Sequence, residues 1–529
     1  MREINTPSEK WRHFFYHAVA LFQRENRLTR LFTHAPALSE YAPSLLISLL
    51  FVTSVALFQN FAQIFEYDTD EGFTLMSALM MEKGAELYTQ LWNDQPPLFT
   101  LLLAGLFKIF GPSATVARSA TLCFAGMIVF VVHDSLRCPQ NEKTGANASF
   151  LSAAAGTTLL IGSSCFIQLS ESAMIGLPAI AMMALACWSI TEYSRKSHAG
   201  WAIAAGVLVI FSLGIKLFTL CIVPIPVGAM ALITVLKHRK NRHGHHLRHL
   251  LLFIGALTVT SMAVFLPYAG SDFISMILGS HMAVRAQFHG GGDGVEKLHL
   301  FFTEDTPLFT LAILGGIRAF LTLNGRMCLW FIWALTAFLA LWDHSPVWSH
   351  HRLLLTIPAA ILAGYTVREL ISVVRVKQMK PVFAAFIWWT ITATAGFLIY
   401  NNAQSPDSDT AKARRKTDDE MKIVHKISKY RETIQYMVTS RQMYAFSIRK
   451  PVPPNLAMTS RKRFRNEQLN AKDIVHDVNK YSPEMIVMSN RWKSHVRRKV
   501  RKEVEDDYRR IYRTGYGETE IWLKNTIYR

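Results

Sequence analysis

Runs without a single charged side chain recur along this chain, and they decide what it can fold into. The first covers Pro43 to Gln63; others cover Ala148 to Ser170, Ser172 to Thr191, Leu217 to Leu236, Leu250 to Ser271, Met327 to Trp342 and Val382 to Pro406. Most match the roughly 20 apolar residues that a helix needs to cross a bilayer. A soluble helix would need a polar face, which these runs lack. The chain therefore reads as a polytopic α-helical membrane protein. Beyond Asn401 the sequence turns charged and basic, which marks a soluble C-terminal domain over residues 402–529, expected outside the cytoplasm.

Basic residues in short loops stay on the cytoplasmic side. That rule places Arg137 and Lys143, Arg195 and Lys196, Lys237 to His249, Arg326, and Arg368 to Lys380 inside, together with the N-terminal segment 1–42. Residues 64–115 must then stay outside as one large loop. Its apolar segment Pro97 to Phe110, which contains Lys108, is too short for a crossing and is expected to lie in the interface. The expected crossings are 43–63, 116–136, 148–170, 172–192, 200–215, 217–236, 250–270, 306–323, 327–343, 352–371 and 381–401. About eleven crossings over 43–401 would gather Asp68 to Pro97, Arg118, Glu171, Lys216, Asp272 to Asp305 and Asp343 to Arg352 at the extracytoplasmic face.

The net charge of +19 is divided among short loops and the tail, with no compact basic patch interleaved with aromatics, so no nucleic-acid partner is expected. The run Arg461 to Arg465 and the stretch Ser494 to Tyr512 read as solvated or headgroup-facing surface. Six cysteines lie in apolar spans or one short loop, without CxxC or Cys/His spacing, so neither disulfides nor a structural zinc site is expected. In the tail, helix-like runs (421–436, 471–481, 496–512) alternate with short apolar strands (485–488, 520–523), a pattern suited to a small α/β domain.

Several polar residues stand out against this background. Asp70 and Glu71 open a helix just past the first crossing. An ionised carboxylate there can take a proton from a hydroxyl as general base, and acidic residues at a helix start can equally cap its free amides. Arg118 and Lys216 are cations at membrane depth, where an ionisable side chain either serves a function or snorkels to headgroups. The outer loop Asp343 to Arg352 offers His350 and His351, which as neighbours on a helix point different ways. The long loop after Ser271 carries His281 and Arg285 and then Gly290 to Gly294, which lack the setting of a nucleotide-binding loop and read as a mobile lid or a connector.

These residues carry a resemblance. Asp70-Glu71, Pro96-Pro97-Leu98, Phe110-Gly111 and Ala117-Arg118 resemble the GT-C glycosyltransferases that use polyprenyl-phosphate sugars, among them the protein mannosyltransferases and the aminoarabinose transferase of lipid A. The likeness extends more loosely through Gly214-Ile215-Lys216, His350-His351-Arg352-Leu353-Leu354 and Ile357-Pro358, over about residues 40 to 370. It implies an enzyme of a bacterial inner membrane that transfers a hexosyl or pentosyl group with inversion from a polyprenyl-phosphate carrier to a protein, lipid or polysaccharide acceptor outside the cytoplasm. Asp70 would be the base, assisted by Glu71, with Arg118 and Lys216 on the donor phosphate. Asp94, Glu171, His350, His351 and Arg285 are further candidates for contacting substrate. No cofactor is implied, and a divalent metal stays open. The chain departs from the pattern at Asp94-Gln95, where the lipid A enzyme has a Glu-Lys pair, so one phosphate-binding cation is missing. A transporter or flippase of lipid-linked sugars is the alternative, although internal repeats and mid-span polar residues, the usual marks of one, are not evident.

Overall fold

The computed structural model describes residues 36–59, 61–137, 146–240, 245–280, 282, 293–373, 409–514 and 518–528. The expected crossing 381–401, Arg285, His281 and glycines 290–292 lie outside these. Helix α1 (Pro36–Phe58) starts earlier than the expected Pro43, on a proline whose fixed φ suits a first helical turn. Two short helices follow, α2 (Thr69–Glu82) and α3 (Leu98–Phe110). The membrane part continues with α4 (Ala114–Arg137), α5 (Ala146–Gly162), α6 (Ser164–Glu171), α7 (Gly176–Lys196), α8 (Ala199–Ile215), α9 (Pro224–Lys240) and α10 (His245–Phe265). It ends with α11 (Asp293–Glu304), α12 (Thr306–Leu321), α13 (Gly325–Trp342) and α14 (Leu353–Val373).

Among the described residues, six helices are long and apolar enough to cross a membrane, and eight spans result if each of two bent pairs counts as one. The expected crossing 148–170 is bent by 71° between α5 and α6, and α11 meets α12 at 100°. The bends are tied together, because the Ser163 hydroxyl donates to Asp305 Oδ2 at 2.9 Å. Helix α3, about 20 Å long by its residue rise, buries Phe99, Leu103 and Phe107 and exposes Ile109 and Phe110. Where α5 crosses α14, no side chain fits: a Cβ on Gly156 would lie 2.7 Å from the Ala360 carbonyl, and one on Gly364 2.7 Å from that of Ser152. Small residues let membrane helices approach to this distance, where dispersion contacts hold them.

The C-terminal part comprises α15 (Asp409–Ser428), β1 (Met437–Thr439), α16 (Gln442–Ser447), α17 (Arg461–Arg465), α18 (Ala471–Tyr481), β2 (Met485–Met488), α19 (Ser494–Val504), β3 (Tyr508–Arg513) and β4 (Glu520–Lys524). Its sheet runs β1-β2-β4-β3, with β1 parallel to β2 and the other pairs antiparallel. The expected helix 496–512 ends at Val504. Val496, Val500, Val504 and Tyr508 are all buried at helical spacing, which makes the stretch look continuous in sequence. The chain instead turns at residues 505–507, and Tyr508 begins a strand paired with β4. Aromatic and β-branched residues at 508–512 suit that pairing.

One hydrophobic cluster joins the two parts. It unites Leu75, Leu79, Phe99 and Phe107 of α2 and α3 with Tyr444, Phe446, Met485 and Leu523 of the C-terminal part. Phe65 and Tyr444 lie 5.3 Å apart between ring centroids, and Phe107 and Phe446 5.7 Å. The guanidinium of Arg441 adds ion pairs to Glu66 and Glu420.

Candidate active site

Helix α2 begins at Thr69, where the Asp68 carboxylate accepts from the amide of Asp70 at 2.9 Å. The cap is thus Asp68, and the two carboxylates singled out in the sequence are released for other work. Being consecutive on a helix, they point in directions about 100° apart.

Glu71 turns inward. Its Oε1 accepts from Arg118 Nε at 2.8 Å and from the amide of Ala173 at 2.9 Å; Oε2 accepts from Arg118 Nη2 at 2.8 Å and from the amide of Tyr67 at 3.0 Å. Arg118 also donates Nη1 to the carbonyls of Phe61 and Ile64, each at 2.7 Å, and Nη2 to that of Phe65 at 3.4 Å. A guanidinium has five N–H donors, and all five are directed at protein acceptors. Both side chains are without solvent exposure. The expectation that Glu71 assists the base and that Arg118 holds a phosphate does not fit this geometry: the pair closes on itself and pins the loop 61–67 to α4. Tyr67, which the sequence reading passed over, lies with its ring 5.0 Å from the Arg118 guanidinium and donates its hydroxyl to Glu171 Oε2 at 2.7 Å. Glu171, buried at the end of α6, is thus part of the wall.

Asp70 turns the other way. Its side chain is exposed, in the first turn of α2. Desolvation by the neighbouring protein, together with the negative charges of Asp68 and Asp94, pushes its carboxyl up to about 7, against the pull of Lys216 and Lys462. Lys216 stands in the break after α8, and its Nζ is 3.5 Å from His350 Nε2. His351 turns aside: its ring stacks on Phe218 at 4.2 Å, and its Nδ1 accepts from the amide of Trp348. Of the two expected histidines, only His350 is brought to Lys216.

Asp94 sits in a braced loop. Gln95 donates Nε2 to Asp94 Oδ1 at 2.9 Å, the Tyr88 hydroxyl donates to the Gln95 carbonyl at 2.6 Å, and the amide of Asp272 bonds the Tyr88 carbonyl. The second Asp94 oxygen accepts from Lys462 Nζ at 2.8 Å. Lys462 lies in the basic run 461–465 that reads as surface in the sequence, and only its partner reveals it.

Two cavities flank these groups. One of about 170 Å³ is bordered by Tyr67, Asp68, Gln168, Lys297, His350 and Arg352, between the start of α2 and the start of α14. The other, about 340 Å³ and apolar, is a groove among α3, α8 and α10 lined by Leu98, Leu101, Val207, Phe211, Val259 and Val264. Leu98 follows the Asp94 loop by a few residues, and α8 leads to Lys216, so the groove ends near both. Among the described residues, no three His, Cys, Asp or Glu side chains are placed to share a metal ion.

Helices long and apolar enough to cross a membrane, two short helices among them and an α/β part packed on those short helices define a GT-C-like membrane fold. Among solved structures, the chain shares this fold with ArnT from Cupriavidus metallidurans, the lipid A aminoarabinose transferase. The structure of ArnT bound to undecaprenyl phosphate superposes with a TM-score of 0.59 at 15% identity, covering 90% of this chain and 97% of that one. The apo structure gives 0.58 at 15% identity, covering 92% and 98%. No protein-family model matches the sequence, and no curated protein does.

Proposed function

We propose that this chain is an integral membrane glycosyltransferase that takes a monosaccharide from a polyprenyl-phosphate carrier and delivers it, with inversion, to an acceptor outside the cytoplasm. The observation that carries this reading is the arrangement around Asp70: an exposed carboxylate pushed up to about 7 and within the field of Lys216, beside the end of an apolar groove. The likeness in fold to a protein that binds undecaprenyl phosphate supports it.

In this reading the groove among α3, α8 and α10 holds part of the polyprenyl chain, and Lys216 meets the phosphate at its end. Asp70, ionised, accepts the proton of the acceptor hydroxyl as its oxygen attacks the anomeric carbon. The bond from that carbon to the phosphate oxygen breaks, and its electron pair leaves with the phosphate, where Lys216 stabilises the growing charge. Attack from the face opposite the phosphate inverts the anomeric centre. His350, close to Lys216, orients the ammonium. Glu71 and Arg118 keep the helix start in place but touch no substrate.

The test is Asp70→Asn, with transfer from carrier-linked sugar measured in membranes. Loss of at least about a hundredfold is expected, since general bases contribute 10²–10⁴-fold. Undiminished transfer overturns the assignment.

A further inference from the structure

The C-terminal part sets an ammonium beside Asp94. Lys462 bonds Asp94 across 368 positions of sequence, and only 18% of its side chain is exposed. Its neighbour fixes it there. Arg463 is buried and donates Nη1 to the carbonyls of Asn455 at 2.6 Å and Met458 at 2.9 Å, and Nη2 to Asn455 Oδ1 at 2.8 Å. Its guanidinium lies 4.6 Å from the Trp92 ring, two residues before Asp94. The Ser460 side chain caps α17 by accepting from the amide of Arg463. Anchored this way, Lys462 loses the rotamer freedom that a surface lysine keeps, and that entropy is spent before any ligand arrives.

We propose that Lys462 is a second cation for the donor phosphate, so that docking of the C-terminal part completes the active site. The inference rests on the reading of the site as a carrier-dependent transferase. In the donor, the phosphate bridges sugar and lipid and bears one negative charge; when its bond to the anomeric carbon breaks, the electron pair adds a second, while the acceptor proton passes to Asp70. Two lysines approaching from separate parts of the fold suit that doubling of charge better than one. An ammonium has three donors and can hold the Asp94 carboxylate and a phosphate oxygen at once. Asp94 then acts as a positioning residue. The fields of Lys216 and Lys462 both favour the ionised form of the Asp70 carboxyl.

The experiment compares binding of undecaprenyl phosphate and of the uncharged alcohol undecaprenol to the full-length protein in detergent, for the unaltered chain, Lys462→Gln and Lys462→Arg. Expected is a loss of about tenfold or more in affinity for the phosphate in Lys462→Gln, as for a charge-assisted hydrogen bond, with affinity for the alcohol unchanged and Lys462→Arg retaining most of the binding. Equal losses for both lipids make Lys462 a docking latch only and overturn the proposal, as does unchanged phosphate affinity. An unaltered chain that does not prefer the phosphate over the alcohol overturns the transferase reading itself, and this inference with it.

Discussion

Glu71 and Arg118 meet as a fork on a fork at 2.8 Å, both without exposure to solvent, whereas Asp70, one position earlier, is exposed. Two carboxylates adjacent in sequence thus have separate surroundings, one holding the helix start and one open to solvent.

Removing one partner of such a buried pair leaves an uncompensated charge and typically costs 3–5 kcal/mol. Arg118→Met should lower stability by about that amount, read by denaturant or thermal unfolding in detergent. The protein that remains folded should keep its affinity for a polyprenyl phosphate, because Arg118 has no donor to spare for it. A loss of that affinity without a loss of stability would return Arg118 to the phosphate.

The raised Asp70 carboxyl gives opposite pH trends for activity and stability. Only the ionised form takes a proton, so transfer should rise with pH through about 7 and then level off. A carboxyl raised from its ordinary 3.8 binds its proton more tightly in the folded state, so its contribution to stability is full below 3.8 and is lost as pH rises through about 7. A pH–rate profile and unfolding at several pH values check both, and Asp70→Asn should remove its share of the stability slope.

Lys216→Met should weaken binding of the carrier phosphate by about tenfold or more, the scale of a hydrogen bond to a charged group. Lys216→Arg, which keeps the charge with a different shape, should lie between. A titration with undecaprenyl phosphate reads both.

Gly72 sits where α2 passes under α16, and a Cβ there would lie 2.5 Å from Glu66 Oε1 and 3.2 Å from the amide nitrogen of Met443. Gly72→Ala should loosen the C-terminal part at a cost of about 1–3 kcal/mol, as overpacking does. Faster hydrogen exchange in α16, with exchange in α4 and α14 unchanged, is the expected readout.

The membrane class and the change of character near Asn401 are legible in the sequence because the absence of charge over a span is a local property. Asp70 and Lys216 could be picked out because an ionisable group at the edge of an apolar run is conspicuous. What the sequence hides is pairing. Arg118 reads as a free cation, since nothing local announces Glu71, 47 positions earlier. Lys462 sits among four other basic or aromatic residues in Arg461 to Arg465 and looks like surface, while burial of Arg463 next to it is a product of the tertiary fold. Likewise the spacing of Val496, Val500, Val504 and Tyr508 cannot say that the last belongs to a strand.

Phe107, on the short helix α3, and Phe446, in the C-terminal part, belong to one continuous apolar cluster. The sheet therefore completes the folding of α2 and α3 and is no detachable appendage. Severing the chain ahead of Asp409 would leave Leu75, Leu79, Phe99 and Phe107 facing water as a greasy surface prone to self-association, so the lipid-embedded and aqueous halves must mature together.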